Sequence, residues 1–474
     1  LVSFNEGEQP VAEREHAYFL LSLGCAKNTV DSESMAQLLA REGYAASALP
    51  EQAGVLIVNT CGFIDAARRE SIDALRELAQ NKRPDQLLIA AGCLAQRYGP
   101  GLSEEVPGLD GVIGTRRWMD ILDLVRRLRG RAHPEPIYHL PDEAVTVGTD
   151  ENNVLRAAVF GGSAYLKIAD GCRRPCAFCT IPAIKGTHVS RPLKTIVEEA
   201  ARLNARGLKE IILIAQDTTD YGHDLGMKDG LATLLEQIVA VTPDVPWIRV
   251  MYAYPGYVTP HLIDVMAGHE RILPYLDMPL QHGHRETLKR MCRPANVEWV
   301  YDIVGKLREA MPALAIRTTF IVGYPGETEA EFEGLLAFVK DMRFDRVGVF
   351  TYSFEPGTPS AALPDQVPDA VKEARRERLM EIQQPISLRR NQQFVGHVLP
   401  VLIEGYGDGL SVGRSYRDAP EIDGMVFIED ELPVGEIVPV RITGAMTYDL
   451  VGTAATGVSL VGAGAPDTTG EVKP

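Results

Sequence analysis

Seven cysteines carry most of the chemical information in this chain of 474 residues. Three of them form the run Gly171-Cys172-Arg173-Arg174-Pro175-Cys176-Ala177-Phe178-Cys179, a CxxxCxxC motif directly after a strand-like segment. Three thiolates on one tight loop can hold three irons of a cubane cluster. The fourth iron then lacks a protein ligand, and S-adenosylmethionine can chelate it through its amino and carboxylate groups. Reduction of the sulfonium would yield a deoxyadenosyl radical, chemistry that belongs to the cofactor while the protein positions it and excludes water. Phe178, just before the last cysteine, is a candidate to pack beside the adenine. The rival reading is a zinc knuckle, but structural zinc wants four Cys or His ligands and no fourth lies close in sequence.

Cys25, Cys61 and Cys93 make a second trio, separated by 36 and 32 residues. Each follows a strand-like apolar run: 17–24, 54–60 and 86–92. Amphipathic helical patterns follow the first two, over 31–41 and 64–81. Strands alternating with helices predict a parallel sheet, and ligands gather beyond the carboxyl ends of such strands. The three cysteines should therefore converge. Again three ligands leave one open iron, on which a sulfide or methylthio group can sit ready for transfer. The competing reading is three buried structural thiols. Cys292 has no visible partner and reads as a core or supporting thiol.

The elements that must position these residues fall into three blocks. Residues 1–14 read as a tail, 15–130 as an α/β domain and 131–157 as a linker rich in Pro, His and acids. Residues 158–390 alternate strands with helices. The strand candidates are 164–169, 210–215, 247–252, 274–278, 315–322 and 346–352, with helices such as 196–206 and 329–342. About six βα units predict a full or partial TIM-type barrel with its chemistry at the strand C-terminal ends. Gln216 and its neighbours Asp217, Thr218 and Thr219 follow one strand. Gly323 and Gly326, in Gly323-Tyr324-Pro325-Gly326-Glu327-Thr328, follow another. Gln216, Gly323 and Gly326 are candidate S-adenosylmethionine contacts, because strand ends face the site and glycine lets a ligand approach the backbone. The plain alternative for the second segment is a turn with Thr328 as helix cap. Gln281-His282-Gly283-His284 is a further polar barrel-mouth candidate. The run Arg375-Arg376-Glu377-Arg378 reads as a solvated face of a charged helix over 369–390. Short strand-like pieces at 398–403, 424–428 and 437–442 predict a small antiparallel β-barrel over 391–457. Residues 458–474 read as a disordered tail.

Composition narrows the class. Hydrophobic residues make up 45% and charged residues 24%, ordinary globular usage. No apolar run approaches the ~20 residues of a membrane span. Leu1–Arg14 lacks the apolar centre of a signal peptide, so a soluble cytoplasmic protein without a membrane partner is expected. The odd, scattered cysteines are not a disulfide framework. The formal charge of −16 disfavours a broad grip on nucleic acid and favours a basic partner.

With these motifs in hand, the chain resembles the methylthiotransferase family of radical S-adenosylmethionine enzymes, from about residue 17 to 452. The likeness rests on Ser22-Leu23-Gly24-Cys25-Ala26-Lys27-Asn28 with Val30-Asp31-Ser32-Glu33, on Val58-Asn59-Thr60-Cys61-Gly62-Phe63-Ile64, and on Gly92-Cys93-Leu94-Ala95-Gln96-Arg97-Tyr98. The barrel adds Ile168–Cys172, Ala215–Thr219 and Leu276–His282. Within the family these segments look like the branch acting on an aspartate of ribosomal protein S-twelve. The transfer-RNA branch, which modifies isopentenyladenosine, tends to show Gly-Gln-Asn-Val-Asn where this chain has Ala215–Thr219. Gly413-Arg414-Ser415 and Asp418–Gly424 agree with the ribosomal-protein branch. Departures are Ala26 for the usual proline, Lys185 where arginine often follows the cluster loop, and His284-Arg285 where Ser and Asp are common.

The resemblance implies two 4Fe-4S clusters, one on each cysteine trio, and two uses of S-adenosylmethionine: one molecule donates methyl to sulfur at Cys25, Cys61 and Cys93, and another gives the radical at Cys172, Cys176 and Cys179. It implies hydrogen abstraction from the aspartate β-carbon, a low-potential electron donor and a sulfur source. The substrate would be ribosomal protein S-twelve, free or in the small subunit, with no direct nucleic-acid substrate. It also implies a C-terminal TRAM domain, elsewhere an RNA-binding module. Here residues 391–450 hold ten acids (Glu404, Asp408, Asp418, Glu421, Asp423, Glu429, Asp430, Glu431, Glu436, Asp449) against three bases (Arg414, Arg417, Arg441). Such a surface repels phosphate and suits a basic protein. A non-catalytic, metal-stabilised binding protein is the alternative outside enzymes.

Overall fold

In the computed structural model, residues 15–130, 135–141 and 151–455 are described. The tails read at 1–14 and 458–474 lie outside the described residues. The chain forms two compact units. The first comprises 1–158, 170–174 and 179–189; the second comprises 159–169, 175–178 and 190–474.

The first unit is built on a six-stranded sheet of β1 (Ala17–Ser22), β2 (Ala45–Ala46), β3 (Val55–Thr60), β4 (Leu87–Gly92), β5 (Gly111–Gly114) and β6 (Ile137–His139). Its strand order is β2-β1-β3-β4-β5-β6, parallel throughout. Helices α1 (Ala26–Arg41), α2 (Asp65–Asn81), α3 (Cys93–Tyr98) and α4 (Ile121–Arg129) connect the strands. Both faces are buried, as a parallel sheet requires. Val55, Ile57 and Ile89 meet Met35 and Leu39 on one side, while Leu56, Val58, Leu88 and Ala90 meet Ile72 and Leu75 on the other. The third expected strand is also followed by a helix, the short α3, whose six residues show little amphipathic period. The stretch 131–157, read as a linker, contributes strand β6, which pairs parallel with β5. The small α5 (Ile181–Lys185) also belongs to this unit.

The second unit opens with two sheets built on parallel strands. One contains β7 (Ser163–Lys167), β8 (Glu210–Ile214) and β9 (Trp247–Val250); the other contains β10 (Tyr275–Asp277), β11 (Ala315–Val322) and β12 (Arg346–Thr351). A parallel bridge from Ile248 to Ile272 extends the first sheet toward the second. Helices α6 (Leu193–Ala205), α7 (Gly230–Val241), α8 (Pro260–Gly268), α9 (Val297–Ala310), α10 (Glu329–Met342) and α11 (Asp369–Gln392) complete the partial βα barrel. β11 and α10 have the bounds expected from the sequence.

A closed five-stranded barrel follows, formed by β13 (Val398–Gly407), β14 (Leu410–Ser415), β15 (Val426–Ile428), β16 (Ile437–Ala445) and β17 (Leu450–Ala454). Four of its pairings are antiparallel, and β15 pairs with β17 in parallel. Buried ion pairs join it to the βα barrel. Glu210, fully buried, accepts from Arg414 at 2.7 Å and from Arg249 at 2.7 Å. Arg346 donates to Asp418 at 2.6 Å, and Arg417 to Asp345 at 3.1 Å. Burial pushes the Glu210 carboxyl up, yet the two guanidinium groups outweigh it and hold its pKa at about 2.

Breaking such a buried pair leaves uncompensated charge and costs about 3–5 kcal/mol. Glu210→Gln is therefore expected to lower unfolding stability by that order, read as a reduced urea midpoint. The sign in pH follows from the depressed pKa. The carboxylate's contribution is present above the ordinary glutamate range and is lost as pH falls toward about 2. A Glu210→Gln protein of parental stability at pH 7 contradicts this account.

Candidate active site

The strand register aligns the first trio. Ser22 lies opposite Asn59, Asn59 opposite Ala91, and Thr60 opposite Gly92. β1, β3 and β4 thus end side by side, and Cys25, Cys61 and Cys93 emerge from the same edge. Cys25 stands at the N-cap of α1, and Cys93 is the first residue of α3. The positive N-terminal end of a helix favours a thiolate or an anionic group nearby.

Close packing draws the three loops together. A Cβ on Gly24 would meet Cys61 Cβ at 2.8 Å and Cys61 Sγ at 3.1 Å. A Cβ on Gly62 would meet Leu94 Cα at 2.7 Å. Glycine is required at both positions, and at Gly24 also by a φ of +97°. Asn28 then links all three loops. Its Nδ2 donates to Leu23 O at 2.9 Å and Thr60 O at 3.1 Å, and Cys93 Sγ donates to its Oδ1 at 3.7 Å. Asn59 Nδ2 donates in turn to Asn28 O at 2.8 Å and Ser32 Oγ at 2.9 Å. Ser71 clasps the Cys61 peptide, accepting from its N–H at 2.9 Å and donating to its carbonyl at 3.0 Å.

The three thiols differ in exposure and acidity. Cys25 is exposed, Cys61 half-buried and Cys93 buried. Burial pushes the Cys93 thiol up to about 12, with the Lys185 ammonium acting in the opposite sense. Burial also raises Cys61. At Cys25 desolvation is outweighed by Lys27, by the backbone N–H groups of Asn28 and Lys27, and by Lys185, so its pKa lies below the usual thiol value. The thiolate is the reactive form. In metal-free protein near pH 8, iodoacetamide is therefore expected to label Cys25 first and Cys93 last. Peptide mass mapping reads the order, and early labelling of Cys93 contradicts it.

The second trio lies on a loop shared by both units, with Cys172 and Cys179 in the first and Cys176 in the second. In the first unit, Cys172 N donates to Gly186 O at 3.1 Å, and a Cβ on Gly171 would strike Thr187 O at 2.0 Å. Thr180, next to Cys179, donates to Phe63 O at 3.3 Å, two residues beyond Cys61. The chain leaving one trio is thus fastened to the chain leaving the other. In the second unit, Arg293 Nη1 donates to Cys176 Sγ at 3.6 Å, and its guanidinium stacks over Tyr254 at 4.1 Å. Arg293 carried no signal in sequence beyond being a cation in a turn. Among the described residues, no three His, Cys, Asp or Glu side chains gather closely enough to hold a single metal ion. A cubane asks for a different donor set, one thiolate on each of three irons, and three cysteines per trio match that demand.

The remaining candidates divide. Gln216 follows β8, and its Oε1 is buried without a hydrogen-bond partner, a vacancy a polar ligand atom can fill. Phe178 packs against Met291, Tyr324 and Tyr352. Gly323 has φ +69°, and a Cβ there would meet Lys372 Cγ at 2.3 Å, so helix α11 already demands this glycine. Gly326 has φ +73°, and its N–H donates to Asp365 O at 2.9 Å. Thr328 caps α10 in a reciprocal capping box with Glu331.

His282 is fully enclosed. Its Nδ1 accepts from the His284 N–H at 2.9 Å, so the proton sits on Nε2 and donates to Glu327 Oε1 at 3.2 Å. Burial holds the imidazole below its usual pKa despite Glu327. Glu327 Oε2 also accepts from Gly323 N, Tyr324 N and Arg375 Nη1. This network fixes the loops after β10 and β11. Arg375, read as solvated, is buried and belongs to it, because α11 packs that face inward. Of the two readings of Cys292, core or supporting thiol, the first fails: it is exposed, at φ +52° in the turn after a short helix.

Comparison with known proteins agrees with this anatomy. Residues 17–114 match the family described as Uncharacterized protein family UPF0004, residues 166–339 the Radical SAM superfamily, and residues 395–455 the TRAM domain. The ribosomal protein uS12 methylthiotransferase RimO of Chloroflexus aurantiacus is 51% identical over 452 residues, covering 92% of this chain and 99% of that protein. The protein of the same name from Roseiflexus sp. is 48% identical over 455 residues, covering 92% and 96%. Two structures of the radical S-adenosylmethionine methyltransferase TsrM from Kitasatospora setae align with TM-scores of 0.52 and 0.53. At 14% and 15% identity, and covering 84% and 82% of this chain and 80% and 79% of theirs, they share the fold alone. With sequence identity of this order running the length of the chain, and a cysteine edge, βα barrel and closed C-terminal barrel in the matching places, the chain belongs to the RimO family of radical S-adenosylmethionine methylthiotransferases.

Proposed function

We propose that this enzyme adds a methylthio group to the β-carbon of an aspartate in ribosomal protein uS12, and that it uses two 4Fe-4S clusters to do so. Cys172, Cys176 and Cys179 would hold one cluster, and Cys25, Cys61 and Cys93 the other. The first cluster, when bound, supplies the electron that cleaves S-adenosylmethionine to an adenosyl radical. The observation that carries the reading is the hydrogen bond from Thr180 to Phe63, which ties the segment after Cys179 to the segment after Cys61. A centre that generates a radical and a centre that presents sulfur must be neighbours for one substrate carbon to meet both.

The protein's own groups have defined tasks. Asn28 and Ser71 hold the three sulfur-bearing loops in register. Gln216 Oε1 offers an unused acceptor at a strand end, suited to the amino group of S-adenosylmethionine. The Glu327 network fixes the Gly323–Gly326 turn and releases no proton to the reaction. Hydrogen abstraction from a β-carbon requires no strong base, and the buried His282–Glu327 pair is not poised to act as one.

Charge supports the basic protein as substrate. Of the three bases in the C-terminal barrel, Arg414 and Arg417 are buried in ion pairs. Arg441 is exposed, as are Asp408, Glu421, Glu429, Glu431 and Glu436. The exposed acids of the barrel thus outnumber its exposed base, a balance that disfavours phosphate contacts. Among the described residues no helix is long and apolar enough to cross a membrane, in keeping with work in the cytoplasm beside the ribosome. The electron donor and the sulfur source are separate partners.

Product balance tests the reaction. Each methylthio group should be accompanied by one S-adenosylhomocysteine, from methyl donation, and one 5′-deoxyadenosine, from radical formation. Chromatography of the quenched anaerobic reaction reads both. Methylthiolated product without S-adenosylhomocysteine contradicts the proposed use of two S-adenosylmethionine molecules.

A further inference from the structure

Lys185 ends α5, six residues beyond Cys179, and is only 2% exposed. Its ammonium donates to Thr115 Oγ1 at 2.8 Å and to Asp31 Oδ2 at 3.1 Å, with Asp170 Oδ1 at 3.5 Å. Asp31 lies on α1, the helix that starts directly after Cys25 and carries Asn28 into contact with the other two cysteine loops. Arg156, also buried, reaches Asp31 at 2.6 Å and Asp170 at 3.4 Å, and Glu151 lies 3.6 Å from it. A buried ammonium costs several kcal/mol in desolvation, and an apolar side chain of similar volume often serves stability as well or better. Packing alone therefore does not account for a lysine here. Asp31 and Asp170 compensate its charge, and Asp31 fastens it to the helix that begins at the cysteine edge.

We propose that Lys185 is a positioning residue that sets the electrostatic potential at the three-cysteine edge, so that a cluster held by Cys25, Cys61 and Cys93 is reduced at a higher potential than it would be without this ammonium. The inference rests on the two-cluster reading above. Reduction adds negative charge, and a fixed cation in a poorly screened interior stabilises the reduced state. Asp31, to which the ammonium donates, stands one turn beyond Asn28 on α1, and the Asn28 side chain meets Cys93 Sγ at 3.7 Å. Burial works against the ammonium's own charge, but Asp31, Asp170 and Cys93 more than restore it. The other charges bearing on the edge are Lys27 beside Cys25, Glu70 near Cys61 and Asp31 itself, which opposes the ammonium at Cys93. Removing Lys185 would also leave Asp31 and Asp170 less compensated, which adds to the shift in the same direction. Arginine would keep the sign of the charge.

The test uses the full chain with Cys172, Cys176 and Cys179 all changed to alanine, so that only the first trio can hold a cluster. After anaerobic reconstitution with iron and sulfide, potentiometric titration followed by electron paramagnetic resonance reads the midpoint. Lys185→Met is expected to lower the reduced-to-oxidised ratio at fixed potential tenfold, a midpoint about 59 mV more negative for a one-electron couple. Asp31→Asn, which is isosteric, should move the midpoint the other way, and Lys185→Arg should restore the parental value. A purely structural role would change unfolding without this opposite pair of shifts. Iron retained with an unchanged midpoint in Lys185→Met overturns the role of Lys185 alone, as do shifts of equal sign in Lys185→Met and Asp31→Asn. A triple-alanine protein that binds no iron overturns the two-cluster reading, and the role of Lys185 with it.

Discussion

Alanine at Cys172, Cys176 or Cys179 is expected to abolish 5′-deoxyadenosine formation, a loss of at least about 10³-fold given that enzymes commonly accelerate their reactions by about 10⁶-fold or more. The loop is tightly built. Cys172 is pinned through its N–H to Gly186, and Cys176 accepts from Arg293. Ala177 donates to Met291 O and accepts from Ser360 N, both at 2.9 Å. Deleting one thiolate leaves this backbone in place but removes one of three irons' protein ligands. The measurement is anaerobic chromatography with a strong reductant, paired with iron analysis. Cys292→Ala provides the control, because that thiol is exposed and is expected to leave cleavage unchanged. Parental rates in Cys176→Ala would contradict the assignment.

The opposite dissociation is expected of Cys61→Ala: cleavage of S-adenosylmethionine retained within a few-fold, and methylthio transfer lost. Cys61 is the informative member of its trio. Its backbone is clasped by Ser71 and does not depend on the sulfur, whereas Cys93 is buried against Asn28 and its removal would disturb packing. Cluster iron should fall by about half, because one complete cubane site is lost. Mass spectrometry of the substrate reads transfer while chromatography reads cleavage. A Cys61→Ala enzyme that still methylthiolates its substrate would falsify the assignment of the second site.

The common edge of Cys25, Cys61 and Cys93 and the succession of parallel-sheet, βα-barrel and closed-barrel folds could be read from residue types and spacing. The apolar runs ending at Cys25, Cys61 and Cys93 shared one phase, and the parallel register of β1, β3 and β4 turned that phase into a common edge. Features carried by periodicity over many residues, such as β11 and α10, were legible for the same reason. Short elements were not. α3 has six residues, and β14 and β17 hold small and polar residues whose burial depends on closure of the barrel. Charge was legible as a total but not as a location. Arg375 in a run of charges, Arg414 on β14 and Arg417 just beyond it reveal their burial only through partners 48, 204 and 72 residues distant. Lys185 stood out as a departure from the family pattern, but its link to Asp31 spans 154 residues. Glycine had two readings that sequence could not separate. Gly323 was a candidate for ligand approach, and Lys372 accounts for it by packing.

The most direct test of the central claim is anaerobic turnover of the reconstituted enzyme with ribosomal protein uS12 and isopentenylated transfer RNA offered together, both recovered and weighed by mass spectrometry. The account predicts a methylthio mass gain on one aspartate of the protein and none on the RNA. A gain on the RNA alone would contradict it, leaving the cysteine chemistry in place and showing that the acidic barrel does not choose the partner.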